Sequence, residues 1–286
     1  MNGAVAGAVP TTAQLASRLQ ELRASKPHAY PRDYAALLGV TEAELTPVFY
    51  ANRVQPLSDL VAVLELVSRL PKVKLMARVS YAVLEIFSKV DFTREQGLFV
   101  SDSASCFVAL DAHSIGDAWF LAPEKPGEKA AILLFGKDGA AALKIYLQAE
   151  EFDAALLAAA PPALAPRTRA ASDALQAARA RYLGEFTPPF IADEKAPRRL
   201  IEQAAAAGKT VAFELVDDSV AVLLRHAPQQ VIDARGWFNI LDPEFNLHLK
   251  EEAIGRIAAA GNEKRKMLRC ENAEGEAITL YLVGEP

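Results

Sequence analysis

The chain has four histidines, His28, His113, His226 and His248, the side chains best suited to bind a metal or exchange a proton near neutral pH. His248 closes the segment FNLHL. Strand alternation puts Phe245, Leu247 and Leu249 on one side, and Asn246 and His248 on the other. A hydrogen-bonded histidine on a polar face is therefore expected. His113 lies in DAHSIGDAW, which reads as a turn, and loops are where sites concentrate. His226 follows the strand SVAVLLR and precedes Pro228, while His28 belongs to the loop KPHAYP. Glu251 and Glu252 are adjacent carboxylates; on a strand they would face opposite ways and make a poor acid–base pair. Cys106 sits inside the apolar run CFVALD and is expected to be buried and inert. No HExxH, GxSxG elbow or phosphate-binding GxxxxGK loop occurs, so those chemistries lack their residues. Glu194, Lys195, Arg198 and Arg199 read as a solvated helix start.

Composition narrows the function classes. At 286 residues, 51% apolar and 23% charged, the chain is globular and long enough for two domains or one duplicated unit. A net charge of −5 argues against a nucleic-acid partner, whose binder would present basic surface. The start MNGAVAGAVP carries no basic n-region, and LVAVLELVSRL is broken by Glu65 and Arg69, so neither export nor a membrane partner is expected. Two cysteines without a CxxC suit a reducing cytoplasm, although spacing leaves a Cys106–Cys270 disulfide open.

These residues must be positioned by two similar series of elements. TAQLASRLQELRA has Leu15, Leu19 and Leu22 at helical spacing behind a Thr cap. Tyr34, Leu37 and Leu38 form the apolar face of a second helix ended by Gly39, and Thr41 with Glu44 makes a capping box for a third. That pair is not expected to bind DNA, because TEAELTPVF has two glutamates and no base-reading Arg or Lys. Leu57 to Leu70 predicts a further helix with Leu60, Val63, Leu64 and Val67 inward. Beyond Lys72, short β-rich runs follow, ending in the hairpin AILLFGKDGAAALKIYL with a tight Asp138-Gly139 turn. PPALAPRTR reads as a linker, Ala170 to Leu183 as a helix, and APRRLIEQAAAAG as a helix ended by Gly208. Strands then return to the C-terminus.

The second series is a copy of the first. A shift of 139 sets GLFVSDSASCFVALDAHSIG on GWFNILDPEFNLHLKEEAIG without a gap, pairing His113 with Glu252 and Ala109 with His248. The terminal hairpins pair at a shift of 136, Gly139 on Gly275. The expected architecture is α+β and internally duplicated. Residues 1–158 form one repeat, 159–170 a linker, and 171–286 a second repeat with a shortened helical part.

Several of these segments resemble the HemS-type haemin-degrading and haem-utilisation family. WFNILDPEFNLHLKEEAI is similar to its second-half signature, and RVSYAVLE, PRDYAALLGVTEAEL and FGKDGAAALKIYL are similar to first-half motifs in the right order. The resemblance runs from about residue 15 to the C-terminus. It implies a HemS/ChuX-like fold with large antiparallel sheets flanked by helices, and haem bound in a cleft beside a sheet. It also implies two absences. No histidine lies between His113 and His226, where the family's axial ligand falls, and Ser105 and Cys106 stand near the family's distal arginine. Leu84 replaces a motif histidine.

A haem site needs an imidazole, thiolate or phenolate at the iron and Arg or Lys at the propionates. The candidates are Arg78, Tyr81, His113 and His226, with Tyr81 sharing a strand face with Val79 and Val83. Haem binding or trafficking in iron acquisition, with a non-standard site, is the leading expectation. Haem breakdown with other ligands, or a different ligand or protein partner in the same cleft, are the alternatives.

Overall fold

Runs such as VKLMAR and AVLEIFS alternate buried and half-buried residues, the period-two pattern that commits them to strands with one face in a core. The structure is a computed structural model that describes residues 11–95, 97–148, 190–191, 195–217, 219–261 and 266–282. The linker 159–170, both repeat boundaries, the helix expected over Ala170 to Leu183, and Glu194 lie outside the described residues.

Five helices are described: α1 (Thr12–Ser25), α2 (Pro31–Leu38), α3 (Glu42–Phe49), α4 (Leu60–Ser68) and α5 (Ala196–Ala207). The first half supplies strands β1 (Val54–Pro56), β2 (Val73–Arg78), β3 (Ala82–Ser88), β4 (Thr93–Glu95) and β5 (Leu98–Asp102). It continues with β6 (Cys106–Leu110), β7 (Ile115–Leu121), β8 (Ala131–Gly136) and β9 (Ala141–Leu147). The second half supplies β10 (Phe190–Ile191), β11 (Val211–Val216), β12 (Val220–His226), β13 (Val231–Ala234) and β14 (Trp237–Asp242). It ends with β15 (Phe245–Leu249), β16 (Arg256–Gly261), β17 (Lys266–Glu271) and β18 (Ala277–Leu282).

The strands form two nine-stranded antiparallel sheets. The first runs β1-β7-β8-β9-β2-β3-β15-β14-β13, and the second β10-β16-β17-β18-β11-β12-β6-β5-β4. The same order is built twice, with one exchange. Each half lends its β4–β6 or β13–β15 meander to the other half's sheet. The expected register holds in space: β5–β6 and β14–β15 pair equivalently at the shift of 139, and Phe135↔Ala141 matches Glu271↔Ala277 at 136. The inner faces of both sheets, with α4 and α5, share one apolar core that includes Leu84, Phe213, Phe245 and Leu280. Helices α1 to α3 have a small core of their own around Leu15, Tyr34 and Leu45. Among the described residues, no helix is long and apolar enough to cross a membrane.

Local details depart from expectation in instructive ways. Leu37 is 44% exposed, because the face α2 buries carries Tyr34, Ala35 and Leu38. The β8–β9 connection is longer than a two-residue turn. Gly139 has φ 78, and Asp138 Oδ1 accepts the Ala140 N–H at 3.0 Å. Glu251 and Glu252 lie in a one-turn 3-10 helix, Glu251–Ala253, and not on a strand. Its first-half counterpart, Ala112–Ser114, holds His113. Cys106 and Cys270 are free buried thiols, and desolvation pushes each up to about 12. Arg198 is a clamp: its guanidinium reaches Asp233 and Glu251 at 2.5–3.1 Å and lies over the Phe238 ring.

Candidate functional site

The turns that join the inner strands converge where α2 and α3 dock, and a cleft of about 590 Å³ opens there. That size falls among small-molecule sites. Its walls are α2–α3, the end of β2, the β8–β9 and β11–β12 turns and the β17–β18 hairpin. The walls are fixed by polar knots. Glu42 of α3 takes the Lys144 ammonium at 2.6 Å, with both side chains buried. Glu276 receives Arg32 Nη2 at 2.6 Å, the Ser80 N–H at 3.0 Å, the Ser80 hydroxyl, and Asn272 Nδ2 at 2.7 Å. Burial works against ionising Glu276, but the bonds from Ser80 and Arg32 win and hold its carboxyl below the usual range.

Arg78 is a cation of this cleft that these knots leave out. It ends β2 and lines the cleft, and its side chain makes no hydrogen bond or ion pair among the described residues. Its Nε is buried with no partner, and desolvation lowers the guanidinium below its ordinary value. An unpaired buried donor of this kind is costly unless an anion completes it.

Tyr81 follows Arg78 but does not share the face of Val83, as strict alternation would have it. The β2–β3 turn, closed by Val79 N–H donating to the Ala82 carbonyl, resets the alternation. Val83 is half-buried, while Tyr81 is wholly buried and points across to the second sheet. Its hydroxyl donates to the Cys270 carbonyl at 2.5 Å and accepts from the Ile278 N–H at 3.2 Å, and burial raises its pKa. His226 ends β12, and its Nε2 meets Asp242 Oδ2 at 2.6 Å. Asp242, 1% exposed at its side chain, also accepts the Gln229 and Gln230 N–H groups. This pair ties β12 of the second sheet to β14 of the first. His113 is half-buried in the 3-10 turn, and the next residue, Ser114, lines the cleft. His28 is exposed.

His248 sits on the outer face of the first sheet, on the polar side as expected. Asn239, His248, Val83 and Arg78 stand opposite one another on the adjacent strands β14, β15, β3 and β2, so all four share that face. His248 Nδ1 lies 2.7 Å from Asn239 Oδ1. The amide is oriented by its own Nδ2, which donates to the Trp237 carbonyl at 2.7 Å. The network therefore puts the imidazole proton on Nδ1 and leaves Nε2 a bare lone pair. Desolvation lowers the His248 pKa, which keeps the ring neutral. Among the described residues no group of three or more His, Cys, Asp or Glu could hold a metal ion by itself.

Solved structures reproduce this architecture. ChuS, the heme degrading enzyme of Escherichia coli O157:H7, superposes with a TM-score of 0.76 at 19% identity, covering 96% of this chain and 94% of that one. PhuS, a heme-binding protein of Pseudomonas aeruginosa, in its holo form gives 0.74 at 21% identity, covering 97% and 95%. This chain has the ChuS and PhuS fold. No protein-family model and no curated protein matches the sequence. The ChuS-like fold is thus the duplicated α+β fold that the motifs imply.

On this fold, Leu84 and Cys106 both project into the inter-sheet core. What sequence reading missed is the row that joins His248 to Arg78, because their pairing passes through strands from different halves. A signal was present in the repeat. Asn239 and His248 align with Val100 and Ala109, so two polar residues replace two apolar ones at neighbouring positions of one face.

Proposed function

We propose that the protein binds haem as cargo, for trafficking in iron utilisation, with the haem carboxylates received at Arg78. The observation that carries this reading is the buried, unpartnered Arg78 Nε at the wall of a 590 Å³ cleft. A guanidinium whose Nε has already lost its water gains from a carboxylate, which supplies two acceptors in matching geometry. Lys137 on the same cleft adds a second cation. The donor set fits a dicarboxylate porphyrin: cations for the carboxylates, and neutral imidazole on the sheet that Arg78 belongs to. The shared fold with a heme-binding protein and a heme degrading enzyme supports the same ligand class. Two free buried thiols suit action in the reducing cytoplasm.

Titration separates the outcomes. Haemin added to the purified protein is expected to give a sharp Soret band that saturates at one equivalent. Iron-free protoporphyrin, which keeps both carboxylates, is expected to compete. Arg78→Gln should weaken both ligands by about tenfold or more, the worth of a charge-assisted hydrogen bond. A wild-type spectrum equal to that of free haemin rejects the reading.

A further inference from the structure

We propose that His248, through Nε2, is the iron ligand of the haem whose carboxylates Arg78 receives. The inference rests on the haem-binding reading and adds the residue that meets the metal. The two side chains lie on one face of one sheet with only the β3 strand between them. Two interstrand steps of about 4.8 Å separate their backbones by roughly 10 Å. The intervening side chain is the short, half-buried Val83; beyond it on this face Met76 stands opposite Glu85, whose carboxylate is held by Lys74 at 3.0 Å and Asn246 at 3.2 Å.

The imidazole is prepared as a ligand in three ways. Its proton is fixed on Nδ1 by Asn239, an outer partner of the kind that orients metal-bound histidines. Its Nε2 has no protein partner among the described residues. The ring is neutral because burial, the largest effect on it, disfavours the charged form.

The duplication supplies an internal comparison. The equivalent row of the second sheet is Val100, Ala109, Ala221 and Val216, on β5, β6, β12 and β11. Its first three residues are buried and all four are apolar. The first sheet does not repeat that apolar row. Instead an aligned amide, imidazole and guanidinium occur on the one sheet face that stays half-open at this row. Helix α3 packs farther along the same face, against β8 and β9, through Ala43, Phe135 and the Glu42–Lys144 pair.

The test is a haemin titration of the wild type, His248→Ala and Asn239→Leu, read by absorption spectra. Wild type should show the bands of imidazole-ligated iron. His248→Ala should lose them and bind haemin at least about tenfold more weakly, while keeping wild-type affinity for iron-free protoporphyrin. Added imidazole should restore the bands. Asn239→Leu, a positioning change, should shift the bands without abolishing porphyrin binding. Carbethoxylation of the wild type, mapped by mass spectrometry, gives a check that needs no variant: haemin should protect His248. Wild-type bands in His248→Ala, or equal modification of His248 with and without haemin, overturns the assignment and leaves haem binding standing. An absent Soret band in the wild type overturns both.

Discussion

His248 is neutral because the sheet withdraws it from water and Asn239 holds its one proton, and that state has a consequence for stability. A histidine whose folded pKa is depressed binds protons more readily when unfolded. Stability therefore falls as pH drops below the unfolded value of about 6.5 and continues to fall until the folded imidazole also titrates. Urea midpoints measured at pH 7.5 and 5.5 should fall more for the wild type than for His248→Gln, which has no such proton to take up. Equal decreases in both proteins would contradict the assigned neutral state. Tyr81 is decided by a different balance. Its hydroxyl bonds one carbonyl and one amide of the second sheet from a fully buried position, and Tyr81→Phe removes both bonds. The expected cost is about 1–3 kcal/mol in denaturant unfolding, with the fold retained. A change within experimental error would mean that the phenol is not the strut between the sheets.

Elements were legible where their signals are local. The capping boxes Thr11–Gln14 and Thr41–Glu44 are present, Asp59 caps α4, and Leu60, Val63, Leu64 and Val67 are its buried stripe. β1, β4 and β10, of three, three and two residues, were not legible, since so short a stretch carries no period. Arg198 read as solvated because its partners Asp233 and Glu251 belong to other elements. The join between α3 and the β8–β9 loop was hidden for the same reason. Ala43 N–H donates to the Gly139 carbonyl at 3.0 Å, and a Cβ on Gly139 would lie 2.5–2.8 Å from the Thr41 side chain. Gly275, its repeat counterpart, has φ 82 and open space around the same position. Both substitutions to Ala incur the left-handed backbone cost of about 1–2 kcal/mol, and only Gly139→Ala adds the collision. Gly139→Ala is therefore expected to be the more destabilising by about 1–3 kcal/mol in urea or thermal melts. Equal losses would show that α3 yields freely.

At the scale of the whole molecule, the duplication was readable as a constant register, but the exchange of meanders was not. A shift of 139 describes sequence, whereas the pairing of β15 with β3 and of β12 with β6 is a choice of partner. That choice puts His248 of one half on the same sheet face as Arg78 of the other, with β3 between them. It also removes any boundary at which the halves could part. Each sheet contains strands of both halves, one core spans both inner faces, and Tyr81 and the His226–Asp242 pair cross between sheets. A protein joined this way should unfold as one unit even at a length where separate domains commonly melt apart. The chain carries its own probes. Its two tryptophans, Trp119 and Trp237, lie in the first sheet, and its two thiols, Cys106 and Cys270, in the second. Tryptophan fluorescence and thiol reactivity followed through the same equilibrium urea series should give one midpoint. Two separated midpoints would mean that the sheets are independent and that the exchanged strands do not couple them.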